Sequence, residues 1–262
     1  MDLMLDLSSF SSAKETLDSL FGGKIKVIQE RDGYRFSLDA LLLAGFIWMR
    51  KGERVIDLGT GVGIIPLILG TRGEGVEEIV GVEIQDKLAG LAKRNALLNR
   101  LEDLITIYQR DIIGLNDVFP PNSFDVVVTN PPYYRVSSGR INPLSQKAIA
   151  RHEVTCTMDD LLQVARYLLK EGGRIFAIFP AHRSVTLLSL LRDATLEPKK
   201  LRWVYSREGE EAKFILAEAH KGGREGVEVL PPLFIYSDKG KHTLEIEKLY
   251  SDATLARKGE YR

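Results

Sequence analysis

Five short apolar stretches, each placed next to a segment of helical period, constrain this chain more than any other feature. Residues 55–58, 79–82, 105–108, 124–129 and 174–179 are nearly all apolar. Residues 64–69, 86–99 and 157–169 carry apolar side chains at helical spacing, as in Leu88, Leu91, Ala92 and Leu98, or Met158, Leu161, Leu162, Ala165 and Leu169. Strands with no polar alternation are buried on both faces. The expectation is therefore a doubly wound, mostly parallel α/β sheet covered by helices on each side. Pro66 is tolerable in a helix's first turn, and Thr157 with Asp160 reads as a capping box. Asn95, near the apolar side of its helix, reads as a satisfied buried amide. The link over residues 206–213 is too short for a helical crossover, so strands at 201–205 and 214–219 should run antiparallel. Seven strands are expected in all.

The ends are less regular. Residues 13–21 carry a weak helical pattern closed by Gly22-Gly23. Residues 25–28 and 34–36 flank Asp32-Gly33 and read as a hairpin. Ser37 is placed to cap a helix running to about residue 48. Gly172-Gly173 should stop the helix begun at Thr157, and a further helix is expected around residues 185–191. Residues 227–236, with Pro231-Pro232 inside, suit either a final hairpin arm or a contact between copies. Trp48 and Trp203 read as core or interface residues. The natural division is an extension over residues 1–50 and the sheet domain over 51–262.

Composition excludes several classes. The chain has 262 residues, 44% hydrophobic and 27% charged, which is ordinary globular usage. One cysteine, Cys156, makes neither an internal disulfide nor a zinc pair, and no metal site is expected. It reads as a packed thiol rather than a nucleophile. Asp2 and Asp6 stand where a secretory signal would be positive, and the longest apolar run, residues 40–49, is too short to cross a bilayer. A soluble, cytoplasmic protein without a membrane partner is expected. Thirty-six basic residues balance 36 acidic ones, so nucleic acid would have to be held by a local patch.

Asp57-Leu58-Gly59-Thr60-Gly61-Val62-Gly63 stands where the first sheet strand hands over to its helix. Ligands of such sheets bind at the carboxyl ends of the strands. The spacing is not that of a dinucleotide fingerprint, since Pro66 falls where the last small residue would stand. No Lys-Ser or Lys-Thr follows to make a triphosphate loop. Glu83 ends the next strand and suits a ribose diol; Asp111 follows the third and suits an adenine amino group. Three acids at successive strand ends fit a nucleoside that bears a cationic sulfonium and no phosphate; simple helix caps would place acids there too. Ile84 and Ile112, beside two of these acids, complete the set.

Thr129-Asn130-Pro131-Pro132-Tyr133 ends the fourth strand. The prolines hold the backbone rigid, so the Asn130 side-chain carbonyl and the Pro131 backbone carbonyl form a fixed pair of acceptors. Two adjacent acceptors suit a planar amino group such as the exocyclic nitrogen of adenine. Accepting both N–H bonds draws that nitrogen toward tetrahedral geometry and frees its lone pair for a methyl donor. Tyr133 offers a face on which an extruded base can stack. Positioning and electrostatics then suffice without a general base.

Together, Asp57-x-Gly-x-Gly-x-Gly, Glu83, Asp111 and Asn130-Pro-Pro-Tyr133 resemble the class I S-adenosylmethionine-dependent methyltransferases that act on planar amino nitrogens. The segment Arg31-Asp-Gly-Tyr-Arg-Phe-Ser-Leu-Asp-Ala-Leu-Leu-Leu-Ala44, with Tyr134 and Ala150-Arg-His-Glu153, is similar to the bacterial tRNA adenine-N6 methyltransferase family. That resemblance implies a Rossmann-like fold, S-adenosylmethionine as donor with S-adenosylhomocysteine as product, and tRNA near the anticodon as substrate. It also implies that Phe36, Ser37 and Asp39 help cover the cofactor. The Phe-Ser-Leu-Asp wording departs from the Gly-Thr-Asp-Gly form associated with the valine-tRNA enzymes and leaves the tRNA open.

Between Pro131 and His152 there is no acidic residue, while Arg135, Arg140, Lys147 and Arg151 are present. Such a run suits phosphates of a bound RNA; a solvated loop would read the same way. Lys199, Lys200, Arg202 and Arg207 form a second basic run, for which carboxylate pairing is the simpler reading. His152 and Glu153 suit a structural role. Two other functions stay open at this point. One is a glutamine N5-methyltransferase of peptide release factors, which shares the turn but carries a different upstream segment. The other is a non-catalytic RNA-binding protein on the same fold.

Overall fold

A computed structural model describes residues 13–33, 35–73, 75–131 and 156–251. Its centre is the expected alternation. Strand β3 (Arg54–Leu58) leads to helix α2 (Ile64–Thr71), β4 (Glu78–Glu83) to α3 (Asp86–Leu98), and β5 (Ile105–Gln109) to a short turn of 3-10 helix, Ile112–Asp117. Strand β6 (Phe124–Thr129) follows, then α4 (Met158–Leu168), β7 (Leu169–Pro180), α5 (Ser184–Asp193), β8 (Leu196–Tyr205) and β9 (Ala212–Lys221). These seven strands lie in the order β8-β9-β7-β6-β3-β4-β5. All neighbours among β7, β6, β3, β4 and β5 are parallel, whereas β9 runs antiparallel to both β7 and β8.

Alternate side chains of each strand feed two separate cores. Val55, Ile79, Val126 and Val128 pack with α2, α3 and the preceding helix α1 (Leu38–Phe46), whereas Ile56, Leu58, Val80 and Val127 pack with α4 and α5. This is why the strands read as unbroken apolar runs. Strand order reverses at β3, which is hydrogen-bonded to β4 on one side and β6 on the other. The crevice beyond the carboxyl ends of β3 and β6 is thus the topological switch point, where such sheets bind ligands.

Four local expectations need correction. The hairpin is formed not by residues 25–28 and 34–36 but by β1 (Glu15–Leu20) and β2 (Ile25–Glu30), so the weak helix over 13–21 is a strand. Gly22 and Gly23 adopt φ of +62° and +93°, and they supply the reversal that Asp32-Gly33 was expected to make. Tyr34 lies outside the described residues. Ser37 occupies the N-cap of α1 but makes no capping bond; its hydroxyl donates to Asp39 Oδ1 instead. Gly172-Gly173 do not end α4. The helix stops at Leu168, and the glycines lie in a bulge of β7, where Phe124 pairs with Leu169 and Val126 with Arg174. Lastly, residues 227–236 make no hairpin. Short strands β10 (Glu228–Val229) and β11 (Leu233–Phe234) both run parallel to β8 on either side of the two prolines, bringing the sheet to nine strands.

The capping box is present: Thr157 Oγ1 accepts from the Asp160 N–H and Asp160 Oδ2 from the Thr157 N–H. Trp48 is half-buried at an edge of the core, its indole N–H donating to Glu218 and the Arg174 guanidinium lying 3.8 Å from its ring centre.

Asn95 is fully buried and does more than pack. Its amide accepts from the Ile28 N–H at 2.7 Å and donates to the Ile28 and Val62 carbonyls at 3.0 and 2.9 Å. One turn later Asn99 makes the same exchange with Lys26. Two amides four residues apart on α3 therefore hold the free edge of β2, taking the place of a third strand. Asn95→Ala leaves a buried donor and two carbonyls without partners. A loss of about 3 kcal/mol in denaturant unfolding is expected, against about 1 kcal/mol for Asn99→Ala at its more exposed position. Equal small losses at both positions would contradict this docking.

Candidate active site

The chain leaves β3 through three glycines in the left-handed region: Gly59, Gly61 and Gly63 have φ of +82°, +58° and +82°. Side chains there would strain the backbone. The Gly59 and Thr60 N–H groups both donate to the Val82 carbonyl at 2.9 Å, which ties the loop across to β4. Gly63 is fixed by packing as well, since a Cβ there would stand 3.2 Å from Ala92 Cβ on α3.

Asp57 sits just before this loop and is 1% exposed. Among the described residues neither of its carboxylate oxygens has a hydrogen-bond partner, and the Thr60 hydroxyl is likewise unpaired. Burial pushes the Asp57 carboxyl up to about 7; the neighbouring Thr60 hydroxyl pulls it partly back, and the Glu83 charge raises it further. Gly81, opposite Asp57 on β4, makes room for the Thr60 and Ile107 side chains. A Cβ at Gly81 would meet Ile107 Cδ1 at 2.6 Å and Thr60 Cγ2 at 3.0 Å. Sequence reading missed Gly81, although a glycine inside an apolar strand is a sign of close approach.

Glu83, 6% exposed at the end of β4, is turned onto the loop: Oε2 accepts from the Gly61 N–H at 3.0 Å and Oε1 from the Gln85 N–H at 2.9 Å. Asp111 caps the 3-10 turn, accepting from the Ile113 N–H at 3.1 Å. At Asp111 the plain capping role is therefore fulfilled as well. Ile84 and Ile112 follow these acids, both half-buried. Phe36 is half-buried before α1, its N–H donating to Gln29 Oε1 at 2.9 Å; Ser37 is exposed, and Asp39 is half-buried and bonded to the Ala40 N–H.

Pairing of Leu58 with both Thr129 and Val82 sets Gly59, Asn130 and Glu83 at one sheet edge. The buried Thr129 hydroxyl donates to the Leu58 carbonyl at 3.1 Å and locks the two strand ends together. Asn130 and Pro131 are half-buried there. Pro132, Tyr133, Tyr134, Arg135, Arg140, Lys147, Arg151, His152 and Glu153 lie outside the described residues.

The second basic run is engaged in structure. Lys199 donates to the Arg224 and Gly226 carbonyls, Lys200 pairs with Glu228, Arg202 is bidentate to Glu245, and Arg207 pairs with Glu210. Burial, then Asp160 and Asp111, push the Cys156 thiol up to about 11, so it is protonated at neutral pH and a poor nucleophile. No group of acidic, histidine or cysteine side chains among the described residues is arranged to hold a metal.

A doubly wound sheet with strand order 6-7-5-4-1-2-3 from β8 to β5, counting from β3, and a glycine loop at its switch point define a class I methyltransferase fold. The sequence profile of the methyltransferase small domain matches residues 36–194, and the chain belongs to that family. Similar proteins include one from Dickeya chrysanthemi, 33% identical over 164 residues, covering 63% of this chain and 64% of that protein. Another, from Bacteroides thetaiotaomicron, is 31% identical over 154 residues, 59% of this chain and 63% of that protein. Both are named tRNA1(Val) (adenine(37)-N6)-methyltransferase, and the matches span just under two thirds of their length. Among solved structures, one from Agrobacterium tumefaciens, described as a predicted O-methyltransferase, shares the fold. Its TM-score is 0.65 at 20% identity, over 82% of this chain and 96% of that one.

Because the folded pKa of Asp57 lies above the unfolded 3.8, its protonated form favours folding; the contribution of this one group is full below about pH 4 and is lost as pH rises to about 7. Asp57→Asn should remove this slope and stabilise the ligand-free protein at pH 8 by on the order of 3 kcal/mol. Urea midpoints of both proteins from pH 4 to 8 check it; parallel curves would contradict the buried, unpaired carboxylate.

Proposed function

We propose that this chain transfers the methyl group of S-adenosylmethionine to the exocyclic N6 of an adenine in tRNA, near the anticodon. The observation that carries this reading is the pairing of Leu58 with Thr129. It sets Asn130 and Pro131 beside the glycine loop at the carboxyl edge of the sheet. The names of the Dickeya and Bacteroides relatives favour tRNA over other amino-bearing substrates.

The residues present fit the donor. A buried carboxylate with no close hydrogen-bond partner suits a cationic ligand, and the exposed Gly59, with nothing within 4 Å of a Cβ, leaves the start of the loop backbone open to approach. S-adenosylmethionine supplies an electrophilic methyl on a sulfonium, and S-adenosylhomocysteine is the product. Asp57 balances its positive charge, Glu83 takes the ribose hydroxyls, and Asp111 with Ile112 lines the adenine; Ile84 and Gly59 to Gly63 complete the floor. Residues before β3, with Phe36, Ser37 and Asp39, cover the site. Glu83 must exchange its bonds to Gly61 and Gln85, in whole or in part, for the ribose diol.

On the substrate side, the Asn130 side-chain carbonyl and the Pro131 backbone carbonyl accept the two N–H bonds of the target amino group. The nitrogen's lone pair is thereby held out of the ring and aimed at the methyl. One N–C bond forms as the C–S bond breaks, and the nitrogen then releases a proton to solvent. In this reading Tyr133, next to Pro132 in the sequence, stacks the extruded base. Tyr134, Arg135, Arg140, Lys147 and Arg151 meet the flanking RNA. Among the described residues no helix is long and apolar enough to cross a membrane, and the cytoplasm is where a bacterial enzyme would meet tRNA.

The test is labelled methyl transfer to unmodified bacterial tRNA, read as nucleosides by mass spectrometry. N6-methyladenosine is expected, and Asn130→Ala should slow transfer by about 10²–10³-fold while S-adenosylhomocysteine affinity stays within a few-fold. Label in release-factor glutamine with none in RNA would move the target to a protein amide. An unaffected rate in Asn130→Ala would remove the turn from the chemistry.

A further inference from the structure

Strand β2 touches both walls of the site just described. On one side, Asn95 joins the Ile28 backbone to the Val62 carbonyl within the glycine loop. On the other, the next residue, Gln29, reaches the segment that precedes α1. Gln29 is 1% exposed, and both ends of its amide are used: Oε1 accepts from the Phe36 N–H at 2.9 Å, and Nε2 donates to Asp18 Oδ2 at 2.7 Å. The same Asp18 oxygen accepts from the Arg35 guanidinium at 2.7 Å and the Thr16 hydroxyl at 3.1 Å. Arg35 also donates to Thr16 Oγ1 at 2.8 Å. Residue 35 is thus strapped to the hairpin by a charge-assisted bond to the Asp18 carboxylate and residue 36 by the Gln29 amide that shares the same oxygen, while the hairpin is bound through Asn95 to the loop.

We propose that Gln29 and Asp18 are positioning residues for the methyl donor. They set the backbone at Phe36, and so the distance between the covering segment and the Gly59–Gly63 loop. The inference rests on the reading of Phe36 as part of the donor site. A polar side chain on β2 serves no apolar packing there, and replacing Gln29 by leucine would leave the Phe36 N–H and the Asp18–Arg35 pair without their shared partner. Because neither residue contacts the methyl or the amino group, the effect falls on donor binding and spares the transfer step.

The test compares S-adenosylhomocysteine affinity by calorimetry with the donor KM and kcat, well below each variant's unfolding midpoint. Gln29→Leu is expected to weaken S-adenosylhomocysteine about tenfold, raise the donor KM to match, and leave kcat within about twofold. Asp18→Asn, at a part-exposed site, should give a milder loss of about threefold even if Gln29→Leu folds poorly. Ile25→Ala is the control: it truncates a buried side chain of the same strand, lowers the unfolding midpoint, and should leave affinity unchanged. Wild-type affinity in both Gln29→Leu and Asp18→Asn would overturn the proposal, as would an equal loss in Ile25→Ala. If the unmodified chain binds S-adenosylhomocysteine but Phe36→Ala binds it equally well, the placement of Phe36 fails and the inference falls with it. No binding by the unmodified chain would overturn the donor reading itself.

Discussion

A carboxylate buried without a hydrogen-bond partner is the constraint around which the carboxyl edge of this sheet is arranged. An ionised acid at that depth is costly unless something positive or a set of donors meets it. Among the described residues Asp57 has no close hydrogen bond and only the neighbouring Thr60 hydroxyl to relieve it, and its environment answers in two ways. The proton is retained to about pH 7, and the backbone that follows turns away through left-handed glycines. Gly81 on β4 makes room for the Thr60 and Ile107 side chains, and Gly59, Gly61 and Gly63 turn the chain in the left-handed region. A buried acid held at such a cost is one that a bound cation would stabilise, which is the part the proposed function gives to the methyl donor.

The remaining architecture delivers two further groups to this edge by register alone. Pairing through Leu58 sets the ends of β4 and β6 level with that of β3, and the Thr129 hydroxyl holds the β6 end to the Leu58 carbonyl. Glu83 accepts from Gly61 and Gln85, so the loop is braced by the acid proposed to take the ribose. Fold alone does not choose the acceptor, since many chemistries share such sheets. The choice rests on the Asn130-Pro131 turn and on relatives of similar sequence.

Much of this was legible in the sequence for a simple reason. Strands buried on both faces show as apolar runs, and Phe124–Thr129 coincides with its expected limits. The strand-end acids and the glycine loop could then be placed by counting. Strand β1 was not legible because it pairs only with β2 and most of its side chains are partly exposed, so neither a period of two nor a helical stripe stands out. The docking of β2 was hidden as well, because asparagine amides replace a neighbouring strand and leave no hydrophobic trace. Gly172-Gly173 reads equally as a helix stop or a bulge until strand register is known. Residues 227–236 pair parallel to β8, which no local turn signal announces. Gly81 left one local sign, a glycine inside an apolar strand, whereas the bonds of Gln29 to Phe36 and Asp18 left none.

The most direct measurement is S-adenosylmethionine binding by calorimetry at pH 7 in two buffers of different ionisation enthalpy, for the unmodified chain and Asp57→Asn. If Asp57 receives the donor's positive charge, binding to the unmodified chain should release a fraction of a proton that Asp57→Asn does not release, and Asp57→Asn should bind more weakly. Equal proton exchange and equal affinity in the two proteins would contradict the central role given to this carboxylate.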